Sequence, residues 1–224
     1  MNGKLSSHIH QIFWSKFRFH CHQGVIEGYK AMLANPSGFK QWQEEKISAR
    51  LLYEMKRLQI LKSKNIIVGR ESHLEDEEIL FGEKEAQDAD RIDFIFSNTW
   101  KQKEYLEYFG EAKNLSHKDW VKKSGAKVSA SQYRARYIDT GIAKIITGGY
   151  SRLDSFLIGY VVNDTAKNNV TGINSLIKKR KILPNIGLIE NQKPICSHQE
   201  CYSSKNFRKE EEVILQHIFL EFDT

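Results

Sequence analysis

"EYFGEAKNL" (residues 107–115) places a carboxylate and an ammonium two positions apart, at Glu111 and Lys113, directly after an aromatic run. Side chains at positions i and i+2 project from the same face of a strand, whereas in a helix they point about 200° apart. Other acid-x-lysine triplets, at residues 44–46 and 54–56, fall in a stretch with helical periodicity. If residues 107–115 form a strand, Glu111 and Lys113 can therefore act at one site, which the helical triplets cannot do.

A second strand is expected just before this one. In "RIDFIFSN" (91–98), the apolar residues Ile92, Phe94 and Phe96 recur at every second position, as is typical of a half-buried strand. We expect the two strands to pair in antiparallel fashion. Asp93 would then reach the acid-lysine pair from the neighbouring strand.

The rest of the pattern alternates helices and strands. The predicted elements are a helix over about 42–61, a strand at 65–69, the strand pair above, a helix over about 129–146, a strand buried on both faces at 155–164, a helix at 170–183, and at 211–222 a strand or a helix. Aromatic and β-branched content favours the strand at 211–222. This order predicts an α/β fold with a central mixed β-sheet flanked by helices.

Three further segments carry weaker signals. The opening residues 1–24 have aromatic and histidine side chains at near two-residue spacing, which favours a strand or an extended arm. Residues 71–90 are rich in Asp and Glu and are expected to form an acidic loop or a short helix. Residues 202–208 are expected to form a surface loop.

Size and composition limit the classes of protein to which the chain can belong. Its 224 residues and 26.1 kDa suffice for one sizeable core, so a single domain over 1–224 is expected. Three cysteines cannot pair completely within the chain, and no secretory signal pattern occurs near the start, so a reduced, cytoplasmic protein is expected. No apolar run approaches the length of a membrane-spanning helix, and therefore no membrane partner is expected. The net charge of +6 permits a polyanionic partner without requiring one.

Asp93, Glu111 and Lys113 together suit the hydrolysis of phosphodiesters. Two carboxylates and a backbone carbonyl, for which Ala112 is our choice, make a hard oxygen site for Mg²⁺. The metal would lower the pKa of a bound water, while Lys113 would orient that water or stabilise the transition state. Solvated charges at a strand end are the alternative interpretation.

In these residues the chain resembles the PD-(D/E)xK nuclease superfamily, the fold of many restriction endonucleases. Asp93 in "RIDF" and Glu111 with Lys113 in "GEAK" match its motif, although Ile92 stands where proline is frequent. The resemblance implies a restriction-endonuclease-like αβββαβ core over about 42–164, with an N-terminal arm 1–41 and a C-terminal extension 165–224.

The resemblance also implies an activity. Such nucleases cut DNA, and less often RNA, with Mg²⁺ or Mn²⁺, leaving a 5′-phosphate and a 3′-hydroxyl. Many carry an acidic residue on the helix before the sheet, for which Glu44 is our choice and Glu45 the next, and a polar or basic residue after the motif, here Gln132 or Arg134. A homodimer or a protein partner is expected by analogy, in antiviral defence or DNA processing.

A basic and aromatic stretch follows the proposed site. We expect it to contact nucleic acid, because cations bind phosphates and aromatic rings stack on bases. Its cations and amide are Lys122, Lys127, Lys123, Gln132, Arg134 and Arg136, and its aromatic residues include Trp120, Tyr133 and Tyr137. A plain solvated basic face is the alternative interpretation.

Two other classes of function remain open. The chain could keep a nuclease fold without cutting and serve as the nucleic-acid-binding subunit of a larger assembly. It could instead be an unrelated α/β protein-interaction module whose basic helix binds an acidic partner. Metal-dependent cleavage would separate the nuclease from both.

Overall fold

The computed structural model describes residues 7–35, 38–73, 91–98, 105–147, 154–180, 185–191, 198 and 200–222. The helices of this part of the chain are α1 (Ser7–Leu33), α2 (Glu44–Arg57), α3 (Gln59–Ser63), α4 (Ala130–Arg136), α5 (Ala143–Thr147) and α6 (Ala166–Lys179). A 3₁₀ turn (Phe39–Gln41) precedes α2, and a π-helical turn (Tyr137–Ile142) joins α4 to α5.

The strands are β1 (Ile66–His73), β2 (Arg91–Asn98), β3 (Glu107–Ser116), β4 (Trp120–Val121), β5 (Lys127–Val128), β6 (Ser155–Asn163), β7 (Ile189–Glu190), β8 (Cys201–Arg208) and β9 (Glu211–Glu221). Within the described residues, seven of them form one sheet in the order β1-β2-β3-β6-β9-β8-β7, and β4 pairs with β5 as a small hairpin. The pairs β3–β6 and β6–β9 are parallel and the others antiparallel, so the sheet is mixed.

Helices cover both faces of this sheet. On one face, α1, α2 and α3 contribute to a cluster of buried apolar side chains that includes Val25, Leu51, Phe94 and Phe156. On the other face, the π-helical turn, α5 and α6 pack over Leu157 and its neighbours. The expected α/β fold with a central mixed sheet flanked by helices is confirmed.

Local sequence explains the helix and strand nearest the proposed site. In α2, Ile47, Leu51 and Met55 recur every four residues and are fully buried against the core. Acidic residues lie in its first turn and basic residues in its last, which suits the helix dipole. In β2, buried and more exposed residues alternate from Arg91 to Asn98, as the sequence predicts.

The prediction of a strand or an extended arm at the start of the chain is wrong. Residues 7–33 form the helix α1, which packs against α2 and α3. Its buried residues Phe17, Cys21, Val25, Tyr29 and Met32 follow a helical spacing of three or four. The aromatic and histidine side chains with two-residue spacing lie in this same helix. The structure of the segment follows from the buried apolar face of α1 and not from that alternation.

Two other predictions need correction. Residues 202–208 are not a surface loop but lie in β8, where Tyr202, Ser203, Ser204 and Asn206 are buried. The helix expected over 42–61 is interrupted at Leu58, whose extended backbone separates α2 from α3.

The other predicted elements are found, with shifted ends. β1, β2, β3, β6 and β9 lie where strands were expected, as does the helical region from α4 to α5. The helix expected at 170–183 begins earlier, as α6. Of the acidic segment 71–90, residues 71–73 belong to β1 and residues 74–90 lie outside the described part. Within the described ranges, no helix combines the length and apolarity that crossing a membrane requires.

The helix α1 and the 3₁₀ turn contact the end of the last strand, β9. The Tyr29 hydroxyl of α1 donates to the Glu221 carbonyl at the end of β9, at a distance of 2.5 Å. The rings of Phe39 and Phe222 lie 5.1 Å apart. These contacts hold the end of β9 against α1 and the 3₁₀ turn.

Candidate active site

The site forms where strands β2 and β3 separate. Their paired residues run from Ser97–Glu107 to Phe94–Gly110. Beyond the Phe94–Gly110 pair, the backbone amide of Ala112 on β3 donates to the Asp93 carboxylate of β2, at 2.7 Å. The Asp93 side chain thus takes a position beside the middle residue of the Glu111-Ala112-Lys113 triplet.

The Lys113 ammonium lies among four oxygen atoms. Its Nζ donates to Glu111 Oε1 at 2.5 Å and to the Ala112 carbonyl at 2.8 Å. Glu44 Oε1 lies 3.5 Å away and Asp93 Oδ2 lies 4.0 Å away. The structure therefore brings together Glu44, Asp93, Glu111 and Lys113, which are the four catalytic candidates from the sequence.

Glu111 is a buried carboxylate with unused hydrogen-bonding capacity. Its Oε2 is buried and has no hydrogen-bond partner among the described residues. Burial first, and the nearby negative charge of Asp93 second, raise the pKa of the Glu111 carboxyl to about 7, against the opposing effect of Lys113. A buried carboxylate with a perturbed pKa is a common feature of functional sites.

Lys113 remains charged in this surrounding. Burial alone would lower its pKa, but the charges of Glu111, Glu44 and Asp93 outweigh burial and raise the pKa of Lys113 above its ordinary value. The ammonium is thus a fixed positive charge inside an acidic cluster.

Glu44 reaches the cluster from the first residue of α2. Its Oε2 accepts a hydrogen bond from the Asn114 backbone amide at 2.8 Å, which orients the carboxylate towards β3. The following residue, Glu45, is exposed. Of the two acidic candidates on this helix, Glu44 is therefore the one that lies near Lys113.

Gly141 of the π-helical turn lies close to Leu157 and to the stem of Lys113. A Cβ atom on Gly141 would lie 3.0 Å from a Leu157 methyl group and 3.9 Å from Lys113 Cγ. A side chain at position 141 would therefore press on Leu157, whereas the lysine stem lies at an ordinary van der Waals distance. Such turns occur frequently at functional sites.

The oxygen atoms around Lys113 fit Mg²⁺ in type. Asp93, Glu111 and the Ala112 carbonyl are hard oxygen donors of the kind that Mg²⁺ prefers, and the buried Glu111 Oε2 has no hydrogen-bond partner among the described residues. Within the described ranges, no three His, Cys, Asp or Glu side chains form a metal-binding group. The donor set expected from the sequence has only two such side chains, because its third donor is a backbone carbonyl.

A cleft of about 280 Å³ lies beside the acidic cluster. The N-terminus of α2 forms one wall, the β4–β5 hairpin and α4 form the other, and Asn114 of β3 contributes to its lining. Its lining residues are Gln43, Glu44, Glu45, Asn114, Lys122, Ala126, Lys127, Val128, Tyr133 and Arg136. Lys122 Nζ also donates to the Trp42 carbonyl at 3.3 Å, which ties the hairpin to the residues before α2.

The proposed nucleic-acid contacts divide into three groups. Lys122, Lys127 and Arg136 line the cleft. Lys123 and Gln132 are exposed but do not line it. Arg134 faces elsewhere, because its guanidinium donates to the His117 carbonyl at 3.1 Å and its side chain lies against Gly172 of α6.

Two aromatic residues of the same stretch differ in exposure. Tyr133 is half-buried and lines the cleft, so a ring is available there. Tyr137 is fully buried and cannot stack on a base, which corrects its interpretation as a stacking residue.

Asn114 is a residue of this region that sequence reasoning missed. It follows Lys113 directly and, by the alternation of a strand, projects to the opposite face. Its position next to the acid-x-lysine triplet was the available signal, but nothing in the sequence indicates that its side chain is buried and lines a cleft.

Comparisons with models of known protein families, with curated proteins and with solved structures give no match to this chain.

Proposed function

We propose that the chain is a metal-dependent nuclease of the PD-(D/E)xK type that hydrolyses phosphodiester bonds in DNA. The observation that carries this proposal is the convergence of Asp93, Glu111, Lys113 and Glu44 within a few ångströms at one strand end. Solvated charges at a strand end would not need to be buried, yet Glu111 and Lys113 are only 5% and 6% exposed.

The order of elements supports the same family. From α2 to β6, apart from the small hairpin, the chain runs helix, three antiparallel strands, helical region and a strand parallel to the third. This is the αβββαβ order of a restriction-endonuclease-like core. The acid-x-lysine triplet lies on the third strand, as in that superfamily.

Each residue has a task in this proposal. Asp93, Glu111 and the Ala112 carbonyl would hold Mg²⁺ or Mn²⁺, which when bound supplies an activated water and neutralises charge on the phosphate. Lys113 holds a positive charge close to the Glu111 and Ala112 oxygens, where it can orient water or stabilise negative charge in the transition state. Glu44 positions Lys113 through its 3.5 Å contact.

The test is cleavage of supercoiled, linear and single-stranded DNA with Mg²⁺ or Mn²⁺. Wild type should cut, whereas Glu111→Ala and Lys113→Ala should lose at least 100-fold in rate, roughly the contribution of one general acid or base. Glu212→Gln is the matched control, because Glu212 of β9 forms an exposed ion pair with Lys205 of β8 at 2.8 Å. This control should cut like wild type.

Two results would reject the proposal. One is a folded wild type that binds DNA but cuts none with either metal, which would indicate a non-cleaving binding subunit. The other is equal cleavage by wild type, Glu111→Ala and Lys113→Ala, which would assign the activity to a contaminating enzyme or to another site.

A further inference from the structure

The cleft is lined by a buried side-chain amide, that of Asn114, whose oxygen has no hydrogen-bond partner within the described part of the chain. The Asn114 side chain is only 7% exposed, and its Oδ1 is buried with no hydrogen-bond partner among the described residues. Buried amides are normally hydrogen-bonded, because an unsatisfied one destabilises the fold. The backbone amide of Asn114 donates to Glu44, and Asn114 is one of the residues that line the cleft.

The other lining residues match the parts of a nucleotide. Lys127 and Arg136 are exposed cations that can hold a phosphate, and the half-buried Tyr133 offers a ring on which a base can stack. The Asn114 amide can accept and donate at the edge of a base. Glu45, on the opposite wall, disfavours a phosphate on its side but can accept a hydrogen bond from a base amino group.

The size of the cleft limits its occupant. A volume of about 280 Å³ lies below the usual range for small-molecule sites, which favours a group no larger than one nucleotide over a duplex. A base inside a duplex is stacked on its neighbours and paired at its Watson–Crick edge. To reach a side chain as buried as Asn114, a base must leave the stack or belong to a single strand.

We propose that this cleft binds one unpaired nucleobase of a DNA strand, beside the phosphate to be cut, with the Asn114 amide hydrogen-bonded to the edge of the base. The inference rests on the proposed function, because the acidic cluster next to the cleft is taken as the cleavage site. It goes beyond that function by making single-stranded or locally opened DNA the preferred substrate.

The experiment measures binding separately from cleavage. The protein is titrated into fluorescein-labelled single strands of dA, dC or dT, and into a labelled duplex, in EDTA and in Ca²⁺, and binding is followed by fluorescence anisotropy. A gel checks that each oligonucleotide stays uncut. Wild type should bind single strands more tightly than the duplex and prefer one base by roughly fivefold or more. Asn114→Leu should lose the base preference.

Thermal melting distinguishes a ligand-binding amide from a structural one. Because Asn114→Leu removes an unsatisfied buried amide, its melting temperature should be equal to or higher than that of wild type. The matched control is Asn174→Leu, since the Asn174 amide bonds both the amide and the carbonyl of Ile189 at 2.8 Å. This control should melt lower and keep the base preference.

The outcomes separate this inference from the nuclease proposal. An unchanged base preference in Asn114→Leu, or a lower melting temperature for that variant, would overturn the inference even if Mg²⁺-dependent cleavage is intact. Loss of preference in Asn114→Leu by a protein that cuts no DNA would support the base-binding cleft and reject the nuclease.

Competition identifies the source of the base. Deoxynucleoside monophosphates that fail to displace the oligonucleotide at equal concentration support a DNA strand as the ligand. Full displacement at that concentration would show that the cleft binds a free nucleotide and would overturn the proposal that it binds a DNA strand.

Discussion

Buried charge is the main feature of this molecule at the scale of single residues. Glu111 and Lys113 contact each other inside the protein, and Asp93 and Glu44 add two further negative charges around one ammonium. Three carboxylates and one lysine leave this cluster with a net negative charge when all are ionised. A divalent cation would balance that charge, which is why metal binding and protonation should compete at Glu111.

Under the proposed function, the metal requirement of cleavage should therefore depend on pH. Since burial and Asp93 raise the pKa of Glu111 to about 7, a proton occupies this ligand below that pH and must leave before metal binds. The Mg²⁺ concentration for half-maximal cleavage should rise by up to about tenfold per pH unit below pH 7. The measurement is a set of Mg²⁺ titrations of cleavage at pH 6, 7 and 8. A requirement that is constant over this range would contradict the role of Glu111 as a ligand.

His217 should make the fold sensitive to acid. It is fully buried, with the Tyr137 hydroxyl 2.9 Å from Nδ1 and the Ser204 hydroxyl 2.8 Å from Nε2. Burial lowers the pKa of His217 to about 3, so between pH 6.5 and pH 3 the unfolded chain binds a proton that the folded chain does not. Stability due to the neutral ring is complete above pH 6.5 and is lost as the pH falls towards 3, by up to about 5 kcal/mol.

Denaturant unfolding of wild type and His217→Gln between pH 4 and 8 measures this effect. The free energy of unfolding of wild type should fall more steeply with acid than that of the variant. Parallel curves for the two proteins would show that His217 is not the titrating group.

At the scale of elements, α1 shows how packing overrides local pattern. A Cβ atom on Gly28 would lie 2.8 Å from Met55 Cγ, and one on Gly24 would lie 2.7 Å from a Leu61 methyl group. Both glycines allow α1 to approach α2 and α3 closely, although glycine disfavours an isolated helix. The sequence shows two helix-weakening residues, while the contact that compensates for them comes from residues more than 25 positions away.

Gly28→Leu should destabilise the protein by about 1–3 kcal/mol, because the added side chain overpacks the α1–α2 contact although leucine favours helix. The control is Lys30→Leu, which adds the same side chain at an exposed position of α1. Denaturant unfolding of both variants is the measurement. A Gly28→Leu protein as stable as the control would mean that α1 does not pack on α2 in this way.

The β8 strand illustrates the same difficulty with polar residues. Ser204 and Asn206 look like loop residues in the sequence, yet inside the protein the Ser204 hydroxyl lies 2.8 Å from His217 Nε2 and Asn206 Oδ1 accepts from the Gly187 amide. By contrast, β2, β3 and β6 could be predicted because alternation or continuous apolar character reports burial directly. Polar strands that satisfy their groups through distant partners give no such signal.

At the scale of the whole molecule, the chain folds so that basic residues distant in the sequence line one cleft together with Glu44. The β4–β5 hairpin brings Lys122 within hydrogen-bonding distance of the carbonyl of Trp42, 80 positions earlier. The order of the main elements and the meeting of Asp93 with Glu111 and Lys113 could be predicted from periodicity and register. The cleft could not, because it depends on how a short hairpin folds back over the start of α2.

Under the proposed function, the salt dependence of DNA binding should identify which basic residues contact the DNA. Lys127→Ala and Arg136→Ala, which alter the cleft, should each reduce the slope of log affinity against log salt by about one. Lys178→Ala, an exposed position on α6, serves as the control and should leave the slope unchanged. Anisotropy titrations from 50 to 200 mM salt, a range of about fourfold, measure the slopes. Equal slopes for all variants would place the DNA elsewhere on the surface.

The position of β9 has a consequence for synthesis of the protein. This strand lies between β6 and β8 in the middle of the sheet, and α1 bonds to its end through Tyr29 and Glu221. On the ribosome it emerges after the other strands of this sheet, so β6 exposes an unpaired edge until translation reaches it. Exposed strand edges template aggregation, and nascent chains in this condition depend on chaperones. Synonymous codon changes that slow translation just before β9 should therefore lower the soluble yield without altering the finished protein.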